Sequence, residues 1–270
     1  MAKVKPHPRT KTCSNNLSAL PNGLISIDSG TVRLEIHPPA GVTIFVNGVP
    51  SSHLDLDDPA FLAFEYFQQM DAVLAALCPP PTSIKALHLG AAGCSLAWAW
   101  DATRPGSRQV AVDIDARLVQ LVREWFPLPS APALRLRAQS AADAVASAKP
   151  GTYDVIVRDV FSGDTTPAEL TTKEFIEKVA QALKPDGLYL ANRAHRGPIA
   201  QARDELAALS EVFPAVAAIA EVGVISGKRY GNVVLAASLG FPEIFDSPAL
   251  SRALRSLPTP AQILLQSSER

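Results

Sequence analysis

The sequence predicts an α/β fold: a mainly parallel sheet with helices on both faces, preceded by a small antiparallel β-unit. Three observations predict it. From Ile84 onward, short apolar runs alternate with helical patterns, the signature of repeated βα units. Between Gly23 and Val49, the β-branched runs LISI, TVRLEI and VTIFV are set off by the turn formers DSG, PPAG and NG. Near the end, AVAAIAEVG and NVVLAAS follow each other with no helix between them, which implies an antiparallel edge.

Taken in order, residues 1–20 are polar and unpatterned and read as a tail, and residues 21–57 as the small β-domain. Asp58 is a good N-cap and Pro59 suits a first helical position, so a helix is expected over Pro59–Leu77, ended by CPPPTS. The strand IKALHLG then leads to a helix after Gly93, RQVAVDI to the helix ARLVQLVREWF, and ALRLRA to AADAVASA. YDVIVRDV leads through an acidic loop to TTKEFIEKVAQAL, where Thr171 and Glu174 have the spacing of a capping box. LYLANR and PIAQARDELAALSEVF form the last βα unit before the closing strand pair. The main domain is read as 58–240, and 241–270 as a C-terminal tail with a short helix.

Bulk properties exclude several classes. With 47% hydrophobic and 19% charged residues, the chain can bury a core. A net charge of −1 gives no footprint for nucleic acid or an anionic membrane. The basic start MAKVKPHPRTKT lacks the apolar stretch of a signal peptide, and no run is long enough to span a membrane. The three cysteines and five histidines show no metal-ligand spacing. The expectation is a cytoplasmic protein with idle thiols and no metal.

In open α/β sheets, ligands bind beyond the carboxyl ends of the strands, so the chemistry is sought there. LHLGAAGCS places Gly90 and Gly93 between a strand and a helix, where small residues let a ligand approach backbone N–H groups. Asp113, in VDID, ends the next strand about 20 residues later, where a carboxylate can accept both hydrogens of a ribose diol. Asp115 reads as the next N-cap. Gln139 and Ser140 follow the third strand, where an amide can meet the edge of a nucleobase. Asp159 ends the fourth strand beside the expected cleft. Asp164 follows across Gly163, so the loop RDVFSGDTTPAELTTKEF can fold both acids inward. His88 and the aromatics of FEYF read as packing residues.

The βα order, VDID, YDVIVRD with its acid loop, LTTKEF and LKPDGLYLAN together resemble the spermidine synthase (polyamine aminopropyltransferase) family, most closely its actinobacterial spermidine synthase-like members. The resemblance implies a Rossmann-like class I S-adenosylmethionine-dependent methyltransferase-type fold with a small N-terminal β-domain, and a homodimer. It implies transfer of an aminopropyl group from decarboxylated S-adenosylmethionine to a small-molecule amine. It makes Asp159 the catalytic acid, Asp164 the second loop acid, Asp113 the ribose acid and Gly90 the start of the nucleoside loop. The sequence also departs from the family. Gly93 stands where the loop has an aspartate, Ser51 where there is a glutamine, and Gln139 where an aspartate holds the base. Of a tyrosine–histidine–glutamate triplet only Glu65 remains, and Asp164 lies farther along than the family's second acid. Without the loop aspartate, ordinary S-adenosylmethionine becomes an admissible co-substrate. A methyltransferase and a non-catalytic nucleoside-binding or dimer scaffold therefore stand as alternatives.

Overall fold

The computed structural model describes residues 17–161, 163, 165–195 and 200–265. The first sheet contains β1 (Ile25–Ile27), β2 (Gly30–His37), β3 (Gly41–Val46) and β4 (Val49–Asp55), paired antiparallel in that order. Alternation decides its faces: Val32, Leu34, Val42, Ile44 and Leu54 are buried, and they pack against Trp98, Leu118 and Val122. The sheet has one strand more than the three runs predicted. VPSSHLD extends it as β4 because Ser52 and Leu54 point inward while His53 stays half-buried on the outer face.

The second sheet is built by α1 (Glu65–Leu77), β5 (Lys85–Leu89), α2 (Ser95–Thr103), β6 (Arg108–Asp113), α3 (Ala116–Trp125), β7 (Leu134–Ala138), α4 (Ala141–Ala146) and β8 (Tyr153–Arg158). Then come α5 (Lys173–Ala182), β9 (Leu183–His195), α6 (Ala200–Ser210), β10 (Ala215–Glu221), α7 (Val222–Ile225), β11 (Gly231–Ser238), α8 (Pro248–Arg255) and β12 (Ala261–Leu265). Its eight strands run β12-β10-β11-β9-β8-β5-β6-β7. The strands from β7 to β9 are parallel, and β11, β10 and β12 close the other side antiparallel. Chain order reverses at β5, which pairs with both β6 and β8, and this opens a crevice at the carboxyl ends.

Two cores sandwich the sheet. On one face α1, α2 and α8 bring Met70, Val73, Trp100 and Leu250 onto Val155, Val157, Leu188 and Leu190. On the other, α4, α5 and α6 bring Val145, Ile176, Val179 and Leu206 onto Leu87, Leu89, Ile156 and Tyr189. Each fully buried Leu, Ile or Val stabilises the fold by about 1.5–3 kcal/mol relative to exposure. The alternation of Val155 and Val157 with Ile156 carries beyond the strand end and sends Asp159 and Arg158 to opposite faces.

The structure corrects three local expectations. The helix expected from Pro59 begins at Glu65, without a side-chain cap from Phe64. Asp55 Oδ1 accepts the N–H groups of Asp57 and Asp58, and Asp58 Oδ1 accepts that of Ala60, so local turns hold the backbone that a helix would need. The cap of α5 is Thr172, which accepts the Phe175 N–H; Thr171 donates to Ala168 O, and Glu174 pairs with Lys178. The segment after residue 240 carries the expected helix and then adds β12 to the sheet along β10, so it is more than a tail. Most of the N-terminal tail lies outside the described residues. Among the described residues no helix is long and apolar enough to cross a membrane.

Candidate active site

A cleft of about 1360 Å³ lies over the carboxyl ends of β5, β6, β8 and β9, with β3 and β4 of the first sheet as its far wall. One end is built by the loop after β5. Gly90 has φ +82°, and a Cβ there would run into the Asp159 carbonyl, so the close approach of two strand ends demands glycine. Ala92 (φ 35°) and Cys94 (φ 61°) also take left-handed backbone, at about 1–2 kcal/mol each. Two anchors hold this strained loop. Asp113 Oδ2 accepts the N–H groups of Ala91 (3.2 Å) and Ala92 (3.1 Å), and Ser52 Oγ accepts that of Gly93 (2.9 Å).

This changes the reading of the predicted nucleoside residues. Gly93 does not line the cleft; a Cβ there would lie 2.6 Å from Ile44 Cδ1 and 2.7 Å from Ser52 Cβ. It is glycine because the first sheet docks on it. Asp113 does line the cleft, and its Oδ1 also accepts the Asp115 N–H at 3.0 Å. A carboxylate has about four lone-pair sites, so one acceptor position remains for a ligand hydroxyl. Burial, opposed by these backbone bonds, raises its pKa above the ordinary carboxylate value. Ser140 lines the cleft but caps α4, accepting the Asp143 N–H and donating to Asp143 Oδ2. Gln139 also lines it and donates weakly to Ser147 Oγ at 3.4 Å. Asp115 caps α3 as expected, and it also accepts the N–H and hydroxyl of Ser29, tying the first sheet to the second. Ile114, 75% exposed on the cleft lip, offers an apolar platform that the sequence reading missed; its signal was an apolar residue between two acids.

The other end is built around Asp159. Its Oδ2 accepts the Tyr66 hydroxyl at 3.0 Å and its Oδ1 accepts Asn192 Nδ2 at 2.8 Å. Burial raises the Asp159 pKa to about 6, against the bonds from Asn192 and Tyr66 and the charge of Arg158. Asn192 Oδ1 and Thr166 Oγ1, both on the cleft wall, are buried with no partner among the described residues. Glu65 stands behind the wall: its Oε1 accepts Asn232 Nδ2 at 3.3 Å, and Asn232 faces the cleft. Ser51 is at the rim, its hydroxyl donating to Val49 O. Asp164 lies outside the described residues. Tyr66 and Asn192 are functional candidates that sequence reasoning passed over, Tyr66 as one packing aromatic among several and Asn192 as part of a strand. His88 is buried as expected, held to Gln109, and burial pushes it down to about 4.

The described lining therefore contains the acids Asp113, Asp159 and Glu169 but no lysine or arginine, a field that favours cationic ligands. No group of three or more metal-ligating side chains occurs among the described residues.

Strand order, reversal point and loop define the class: a Rossmann-like fold of the class I methyltransferase type with an added N-terminal sheet. Comparison with known proteins narrows it. The family model of the spermine/spermidine synthase domain matches residues 104–223. The crystal structure of a probable spermidine synthase from Corynebacterium glutamicum superposes with a TM-score of 0.82 at 34% identity, covering 92% of both chains. The polyamine aminopropyltransferase of Chromobacterium violaceum is 32% identical over 142 residues, 52% of this chain and 53% of that protein. The human eEF1A lysine and N-terminal methyltransferase is 28% identical over 214 residues, 73% of this chain but 30% of that protein. The chain thus spans about half the length of the one and under a third of the other. It belongs to the spermine/spermidine synthase family.

Proposed function

We propose that the protein transfers an aminopropyl group from decarboxylated S-adenosylmethionine to a small-molecule amine. Asp159 is the observation that carries this reading: a buried carboxylate with a pKa of about 6, fixed by two side chains at the floor of a cleft whose described lining holds no lysine or arginine. Near neutral pH such a carboxylate is ionised yet basic enough to take a proton. An aliphatic ammonium, with a pKa of about 10, must lose a proton before its nitrogen can attack. Asp159 holds that nitrogen, and the unpartnered Asn192 Oδ1 and Thr166 Oγ1 offer further acceptors for its hydrogens. As the C–N bond forms, the C–S bond breaks. Its electron pair neutralises the sulfonium and methylthioadenosine leaves; Asp159 has already taken the ammonium's proton, and the positive charge passes to the new secondary ammonium. Asp113 and the lip at Ile114 fit the ribose and base of the nucleoside.

The lining also bears on the donor. A methionine carboxylate would meet no cation among the described lining residues, and the loop amides of Ala91 and Ala92 are already turned to Asp113. The decarboxylated donor avoids that unpaired charge. Methyl transfer from S-adenosylmethionine to an amine is the second reading. It is favoured by the likeness to the human methyltransferase. Calorimetric titration tests the two together. Micromolar binding of methylthioadenosine, tighter than S-adenosylhomocysteine, is expected. The reverse preference would replace aminopropyl by methyl transfer, and silence from both would leave a scaffold.

A further inference from the structure

The ends of the two central strands carry paired residues on both faces. On the α1 face, Asp159 meets Asn192. On the opposite face the preceding and following residues, Arg158 and Arg193, converge on one carboxylate of α6. Arg158 Nη1 lies 2.8 Å from Glu205 Oε1, and Arg193 Nη1 lies 2.7 Å from Glu205 Oε2. Arg158 and Glu205 are buried, whereas Arg193 is 22% exposed. The same Arg158 donates to Leu170 O (2.9 Å), where the acid loop ends, and to Asn192 O (3.5 Å).

We propose that Glu205 is a positioning residue: by clamping Arg158 and Arg193 it locks the ends of β8 and β9 in register and so sets the Asp159–Asn192 pair on the other side of the sheet. An ion triad below the floor of a cleft is an expensive way to fill a core, since apolar side chains of similar volume would serve stability as well. Its geometry explains why it stands here. Arg158 and Arg193 are the chain neighbours of the two site residues, so moving either guanidinium moves the backbone that carries Asp159 or Asn192. Of the triad, Arg158 is the member whose charge acts directly on Asp159, after burial and the bonds from Asn192 of β9 and Tyr66 of α1, with Glu65 beside Tyr66. Arg158 favours the ionised carboxylate, and Glu205 tempers that charge.

The inference rests on reading Asp159 as the reacting acid, and its test is made independent of turnover. Carboxyl carbon NMR of the full chain, with the Asp159 signal assigned by its loss in Asp159→Asn, follows the titration in two variants. Glu205→Gln leaves Arg158 uncompensated and should lower the Asp159 midpoint; Arg193→Met leaves Glu205 wholly to Arg158 and should raise it, each by about half a pH unit or more. A merely structural role would not move the two in opposite directions. Titrations that stay together in folded variants overturn the clamp. If Glu205→Gln does not fold, Arg193→Met decides alone, because that arm is partly exposed. A wild-type protein that transfers no aminopropyl group counts against the proposed function, while the carboxyl signal still judges the clamp.

Discussion

The two ends of the cleft differ in how their polar groups are satisfied. At the nucleoside end, Asp113, Ser52 and Ser140 bond to backbone N–H groups of the loops they support. At the acid end, Asn192 Oδ1 and Thr166 Oγ1 have no partner among the described residues, and Asp159 is buried against its own preference for ionisation. A network whose polar groups are mostly paired is a shaped surface, fixed before any ligand arrives. An unsaturated one holds back interactions for a reactant, at a cost in stability. The difference supports the proposed division, with binding at the first end and chemistry at the second.

The largest effect is expected at Asp159. Asp159→Asn should lower aminopropyl transfer by about 10²–10⁴-fold, while methylthioadenosine binds within about threefold of wild type. The same variant reads the stored cost. Asp159 titrates near 6 in the folded chain against an ordinary 3.8. Between these values the native state holds more protons than the unfolded one, so stability falls as pH rises through the window. The cost at pH 7.5 is on the order of 3 kcal/mol. Asp159→Asn should therefore melt higher than wild type at pH 7.5, and the gap should close below pH 4. Equal melting at both pH values would mean that the carboxylate is not strained by burial.

Gly93 breaks the comparison from the other end. Gly93→Ala pushes a methyl group against Ile44 and Ser52, and overpacking of this kind costs about 1–3 kcal/mol. Denaturant unfolding should show that loss, with weakened methylthioadenosine binding because the first sheet no longer seats on the loop. If Gly93 instead served a ligand directly, binding would fall while stability held.

Asp113→Asn should have a smaller effect. One oxygen remains for the loop amides and the ligand to share, so the Kd for methylthioadenosine should rise about tenfold, equivalent to one well-placed hydrogen bond. Turnover at saturation should stay within about threefold. A fall in turnover without a change in Kd would place Asp113 in the chemistry and erase the distinction between the two ends.

Much of this was legible in one dimension. The placing of Asp159 and Asp113 on the cleft was legible because strands end where an apolar period stops, and an acid at that point is conspicuous. Gly90 was found by the same route. Gly93 was read by its neighbours in sequence as a ligand contact, whereas its partner is Ser52, 41 positions earlier. The start of α1 was misplaced because Asp58 and Pro59 have the chemistry of a helix start, while the side chains of Asp55 and Asp58 stabilise a competing turn.

Local patterns along the chain specify the alternation of strand and helix, the added β-unit, the crevice at the strand ends and the acid that faces it. All of these follow from periodicity, turn chemistry and caps, which act over a few residues. The surroundings of that acid come from long-range contacts. Tyr66 reaches it across 93 positions and Asn192 across 33, and Glu205 of α6 pairs with Arg158, the acid's chain neighbour, from the opposite face. Such contacts depend on sheet register and helix placement, which no local pattern encodes.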